Sequence, residues 1–135
     1  MALVSWQSHY SVNIKEIDKQ HQQLVNIMNN LHDGMKQGKG KEVLSQVLNE
    51  LINYTAFHFK TEETLFDKYS YPDTTVHKRQ HTDLVQQVLE FKENFDSGKK
   101  ILTMEVMEFL KEWLTNHIVG SDRNYSVYLN NKGVV

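Results

Sequence analysis

Apolar side chains in this chain recur at alternating steps of three and four, the spacing that lines one face of an α-helix. A first seam runs His21, Leu24, Met28, Leu31, Met35, and Gly34, Gly38 and Gly40 mark its end. A second runs Leu44, Leu48, Leu51, Thr55, His58, Glu62, Leu65, Tyr69. It stops before Tyr71-Pro72, because the residue preceding a proline disfavours α geometry. Asp73, Thr74 or Thr75 can cap a third helix with the seam His77, His81, Leu84, Val88, Phe91, Phe95, closed by Ser97-Gly98. The fourth reads Met107, Leu110, Leu114, His117 and continues less regularly through Tyr125 and Leu129. The pattern predicts an all-α chain with helices over residues 19–38, 41–70, 74–97 and 101–130 and an N-terminal arm over 1–17. Short connections between long helices favour antiparallel neighbours, hence an up-down-up-down four-helix bundle.

Length fits this picture, since 135 residues suit one domain spanning 1–135. A net charge of -2 gives no footprint for nucleic acid. No apolar run approaches the roughly 20 residues of a membrane span, and the first residues lack the pattern of a secretory leader, so a cytoplasmic location is expected. A monomer is the default expectation. Lys36, Lys39, Lys41, Lys99 and Lys100 fall at helix ends and read as solvated surface. The composition changes the chemistry at one point: with no cysteine, disulfides, thiolate zinc sites and iron–sulfur clusters are excluded. Any metal must sit on nitrogen and oxygen.

The histidines supply such a set. Five of seven (His21, His58, His77, His81, His117) occupy seam positions that apolar residues hold elsewhere, whereas His9 and His32 do not. Burying five imidazoles and Glu62 together would strand donors and acceptors at about 1–3 kcal/mol for each unpaired group, and a metal removes that penalty. His58/Glu62 and His77/His81 are four apart, so each pair points into one pocket. A lone pair of this kind is usually a surface ion pair or an accident; its coincidence with the seam gives it weight. Five imidazoles and two carboxylates are too many for one tetrahedral zinc and suit two octahedral first-row ions. With both carboxylates bridging and one solvent-derived bridge, a single position stays open, enough for one diatomic molecule.

Motifs along nearly the whole chain resemble those of the hemerythrin family: Trp6; Ile17-Asp18-Lys19-Gln20-His21; His58-Phe59-Lys60-Thr61-Glu62-Glu63; Tyr71-Pro72; His77 with His81; and Trp113-Leu114-Thr115-Asn116-His117-Ile118 followed by Asp122 and Tyr125. The resemblance implies two iron ions cycling between Fe2+ and Fe3+ with an oxo or hydroxo bridge. His77, His81 and His117 would complete one iron, His21 and His58 the other, with Glu62 and Asp122 bridging. It implies reversible binding of dioxygen at the iron with fewer histidines, for storage, transport or delivery, and no enzymatic turnover. Nitric oxide could occupy the same position. Leu24, Phe59, Trp113, Leu114 and Ile118 match the family's apolar oxygen pocket, and all five also read as ordinary core. Leu114, one turn before His117, is the residue expected to face the open position. Tyr125 is either a partner of the ligands or packing, and Asp18 either orients an imidazole or caps the first helix.

Other readings compete. Carboxylate-bridged di-iron oxidases use four glutamates and paired Glu-x-x-His motifs, and this chain has no Glu-x-x-His. A gas sensor would need an output domain, and a metal-free bundle would leave the five imidazoles unexplained. One local conflict remains: Asp122 follows His117 by five residues, which on a regular helix puts the two side chains about 140° apart. If both reach one cluster, the helix must take in an extra residue between them, most simply as a π-bulge, with Gly120 easing it.

Overall fold

The computed structural model describes residues 3–99 and 103–135. Met1 and Ala2 of the expected arm, Lys100, and Ile101 and Leu102 at the expected start of the fourth helix lie outside the described residues. Helices α1 (Lys15–Lys36), α2 (Lys41–Tyr69), α3 (Thr74–Asp96) and α4 (Met104–His117) form an antiparallel four-helix bundle. α4 passes without a break into a π segment, Ile118–Asp122, and then α5, Arg123–Asn131. There is no strand among the described residues.

α1 begins four residues before the expected 19. Ile17 is fully buried, so the helical face is already needed there, and Glu16 and Asp18 sit in the first turn where the helix dipole favours negative charge. At their other ends α1 and α3 turn through left-handed glycines, Gly38 (φ 70°) and Gly98 (φ 82°). The next amides, Lys39 N and Lys99 N, reach back to Gly34 O at 3.0 Å and Asn94 O at 2.8 Å, satisfying carbonyls that the helix ends would leave bare. Thr103 caps α4 by accepting from Val106 N at 3.3 Å. Lys41, expected only as solvated surface, donates to the Asp96 carbonyl at the C-terminal end of α3.

The core forms two apolar clusters. One joins Leu24, Met28, Leu31, Leu48, Leu51, Met107, Leu110 and Leu114; the other joins Val12, Ile14, Ile17, Phe66, Tyr71, Tyr125 and Leu129, so the arm helps to seal it. The seam residues of α4 are buried as the spacing predicts. In α2 the buried face instead moves onto Phe59 and Phe66 and leaves Leu65 and Tyr69 half-buried. A straight helix drifts about 20° per heptad against a strict three-four seam, which accounts for the rotation. His32, placed off the seam by spacing, is buried with neither ring nitrogen hydrogen-bonded. It lies about 16 Å along α1 from His21.

Candidate metal centre

His21 from α1, His58 and Glu62 from α2, His77 and His81 from α3, His117 from α4 and Asp122 from the π segment meet inside the bundle, all seven buried. Their ligand atoms form two overlapping sets, Glu62, His77, His81, His117, Asp122 and His21, His58, Glu62, Asp122, and within each set the atoms lie within 4.8 Å of one another. The two carboxylates belong to both. Asp122 Oδ1 stands 3.0 Å from His77 Nε2 and 3.0 Å from His117 Nε2, while its Oδ2 stands 3.1 Å from His21 Nε2. Glu62 Oε1 is 3.1 Å from His81 Nε2 and 3.4 Å from His58 Nε2.

These spacings test whether a metal fits. Ligand atoms about 2.1 Å from one ion and at right angles lie about 3.0 Å from each other. Five buried atoms facing the cluster (His21 Nε2, His81 Nε2, Glu62 Oε1 and both Asp122 oxygens) nevertheless lack a hydrogen bond. His77 Nε2 and His117 Nε2 confront each other at 3.1 Å, two lone pairs aimed at a common point unless one is protonated. Buried polar groups left bare in this way are costly, and cations at the two foci would satisfy them together. The donor set therefore fits metal ions.

The outer ring nitrogens prepare some of these lone pairs. His58 Nδ1 bonds to Gln20 Oε1 at 2.7 Å and His81 Nδ1 to Glu63 Oε2 at 2.9 Å. Both acceptors force Nδ1 to carry the proton and leave Nε2 bare toward the cluster. Burial pushes His58 and His81 down to about 4, so both rings are neutral near pH 7. Burial, reinforced by Asp122, raises the Glu62 carboxyl. Burial would raise Asp122 as well, but His117 and the converging His21 and His77 rings outweigh it and hold that carboxyl well below the usual range. For His117, burial is overcome by Asp122 and the ring is raised. Tyr125, fully buried, donates a hydrogen bond to Glu62 Oε2, which makes it a partner of the cluster as well as packing against Phe66 and His77.

The helix solves the five-residue spacing by a π turn: Ile118–Asp122 takes in one extra residue, and Asp122 is 1% exposed. Gly120 is not what permits it. Its φ is not positive and a Cβ there would meet nothing within 4 Å. Gly120→Ala is therefore expected to leave metal content unchanged and to stabilise by about 0.5–1 kcal/mol, read as a small rise in Tm. Asp18 takes neither expected role. It accepts from Ser11 Oγ at 2.5 Å and Val12 N at 2.8 Å, tying the arm to α1, and His21 Nδ1 has no hydrogen-bond partner.

Leu24, Phe59, Trp113 and Leu114 line one apolar cavity of about 30 Å³, together with Met28, Leu51 and Leu110. A cavity needs about 10–15 Å³ of such space to hold one water, so this one has room for a small molecule. Ile118 is buried in the core but does not line it. Phe59 stacks on His81 with centroids 3.7 Å apart, and Trp113 on His117 at 4.4 Å, so two ligand rings are clamped by aromatic faces. Spacing alone did not single out Gln20 or Glu63. Each adjoins a cluster residue in sequence and falls within a motif of the family resemblance, and those are the signals either carries there.

Fold and cluster define a four-helix-bundle protein with a buried set of five imidazoles and two carboxylates able to hold metal ions. The model of the hemerythrin HHE cation binding domain matches residues 12–128. The chain is 36% identical over 125 residues to a bacteriohemerythrin of Pseudomonas aeruginosa, covering 93% of this chain and 80% of that protein. It is 34% identical over 126 residues to a bacteriohemerythrin of Methylococcus capsulatus, covering 93% and 95%. A crystal structure of wild-type hemerythrin superposes with a TM-score of 0.88 at 32% identity, over 93% of this chain and 96% of that one. This chain belongs to the hemerythrin family.

Proposed function

We propose that the chain binds dioxygen reversibly, for storage, transport or delivery, at a non-haem di-iron centre with an oxo or hydroxo bridge and one open position. The observation that carries this reading is the sharing of Glu62 and Asp122 by two histidine sets, one of three rings and one of two, close to an apolar cavity. His77, His81 and His117 would hold one iron, His21 and His58 the other, and the two carboxylates both. Two irons, when bound, supply the electrons and the open coordination position that dioxygen requires. The chain does the rest. Tyr125 fixes the outer oxygen of Glu62, Gln20 and Glu63 fix two ring tautomers, and Leu24, Phe59, Trp113 and Leu114 keep water from the open position.

Five neutral donors and two shared carboxylates leave the pair with fewer anionic ligands than a four-glutamate oxidase, which favours release of dioxygen over its consumption; nitric oxide fits the same position. The reading takes residues 1–135 as one domain acting as a cytoplasmic monomer. No helix among the described residues is long and apolar enough to cross a membrane. The test is metal analysis with an absorbance spectrum: two irons per chain, no haem bands, and colour that appears on air and bleaches under argon. Zinc alone, one iron, or irreversible oxidation on first contact would overturn it.

Leu114 carries a second prediction. Leu114→Asn should keep two irons per chain while autoxidation accelerates about tenfold or more, because a buried hydrogen bond to a charged group is worth about 1.5–3 kcal/mol. Stopped-flow and spectral decay under air measure it; decay at the wild-type rate would remove Leu114 from the open position. His9→Ala should leave autoxidation unchanged, His9 being exposed. His32→Ala should spare the centre too but cost stability, because His32 is buried.

A further inference from the structure

We propose that Glu63 is a positioning residue that makes the three-histidine half of the cluster the electron-rich half, with Gln20 as its neutral counterpart on the other. The inference rests on the two-iron reading above. Among the described residues, hydrogen bonds to an outer ring nitrogen of a cluster histidine are made at His58 and His81, one in each half. Their acceptors differ in charge.

On the two-histidine side the acceptor is an amide held in one orientation. Gln20 is buried, and its Nε2 faces Glu16 Oε1 at 3.1 Å and Thr61 Oγ1 at 3.4 Å. The Thr61 hydroxyl proton goes to Phe57 O, so Thr61 can only accept from the amide. The NH2 group must point at these two acceptors, and Oε1 must point at His58. A neutral carbonyl takes little of the Nδ1 proton.

On the three-histidine side the acceptor is the carboxylate of Glu63, whose side chain is 30% exposed to solvent. A charge-assisted bond of this kind is roughly twice as strong as a neutral one. It draws the Nδ1 proton outward and makes the imidazole a stronger donor through Nε2, which favours the ion of higher charge. Phe59, stacked parallel to His81, keeps the ring in the plane that this bond needs. With two irons bound, the one held by His77, His81 and His117 would thereby be favoured in the ferric state, and the one held by His21 and His58 would more readily stay ferrous.

Three measurements test this. In wild-type protein loaded with zinc, nitrogen and proton NMR should show the His81 Nδ1 proton further downfield than that of His58; equal shifts would overturn the proposal. In iron-loaded protein Glu63→Gln keeps an acceptor and loses the charge. Orientation alone predicts rescue and an unchanged potential, which would overturn the proposal. The charge predicts a preference for the ferric state weakened about 10- to 100-fold, a rise of about 59 mV per tenfold in a dithionite titration. Mössbauer spectra of the half-reduced wild type should place ferric iron at the three-histidine site, and the reverse placement would overturn the assignment. A wild type that holds no iron pair would instead sink the two-iron reading, separately from this one.

Discussion

In the proposed di-iron centre, Asp122→Ala is expected to strip the chain of most of its iron while leaving its far-ultraviolet circular dichroism nearly intact. The side chain is one of two that touch both halves of the cluster, with Oδ1 3.0 Å from His77 and from His117 and Oδ2 3.1 Å from His21. Losing a carboxylate shared by both halves of the cluster should weaken metal binding in both together. Changes to residues that merely orient a ligand already cost about 10- to 100-fold in metal affinity, so direct removal should cost more than 100-fold. The helices have separate support from the two apolar clusters, which the substitution does not touch. The π segment should respond, because its irregular hydrogen bonding is offset only if Asp122 is held inward. Iron per chain after dialysis against a chelator and amide exchange across residues 118–122 are the measurements. Retention of two irons by Asp122→Ala would remove the aspartate from the ligand set and with it the argument for one open position.

Removing the metal should have the second-largest effect, and acid should deepen it. Without cations the bare nitrogens and oxygens of the cluster stay buried and unpaired. At about 1–3 kcal/mol for each, even two or three such groups take about 5 kcal/mol from a chain of this size, a fall in Tm of about 15 °C or more. The pH dependence follows from His58 and His81, whose folded pKa values drop from the ordinary 6.5 to about 4. For a depressed histidine the unfolded chain binds the proton first. The stability it contributes is complete above pH 6.5 and is lost as pH falls toward 4. Each contributes about 3 kcal/mol by the conversion of roughly 1.4 kcal/mol per unit. His117 and the Glu62 carboxyl are raised and run the other way, losing their contributions as pH rises, so the net loss on acidification is smaller than the pair alone would give. Thermal melts of metal-free protein at pH 7 and pH 5 should differ by at least several degrees, and equal melts would contradict it.

The sequence by itself determined the bundle, the seven residues that converge and the defect that one of them demands. For the five histidines and Glu62 this follows from local periodicity, since a seam at three-four spacing must face inward and residues four apart must share a pocket; Asp122 came from the family motif, and five residues past His117 it can reach the cluster only if the helix takes in an extra residue. Tertiary structure decided what surrounds those ligands. Gln20 meets His58 across 38 residues, Glu63 meets His81 across 18, and Tyr125 meets Glu62 across 63. No rule of spacing connects such pairs, because they depend on how far one helix is rotated and slid against the next. The same reason buried His32 and turned Asp18 away from His21 toward the arm. Periodicity fixes which face of a helix is buried to within a few tens of degrees; a hydrogen bond requires its partner within a few tenths of an ångström, and only the packed bundle supplies that precision.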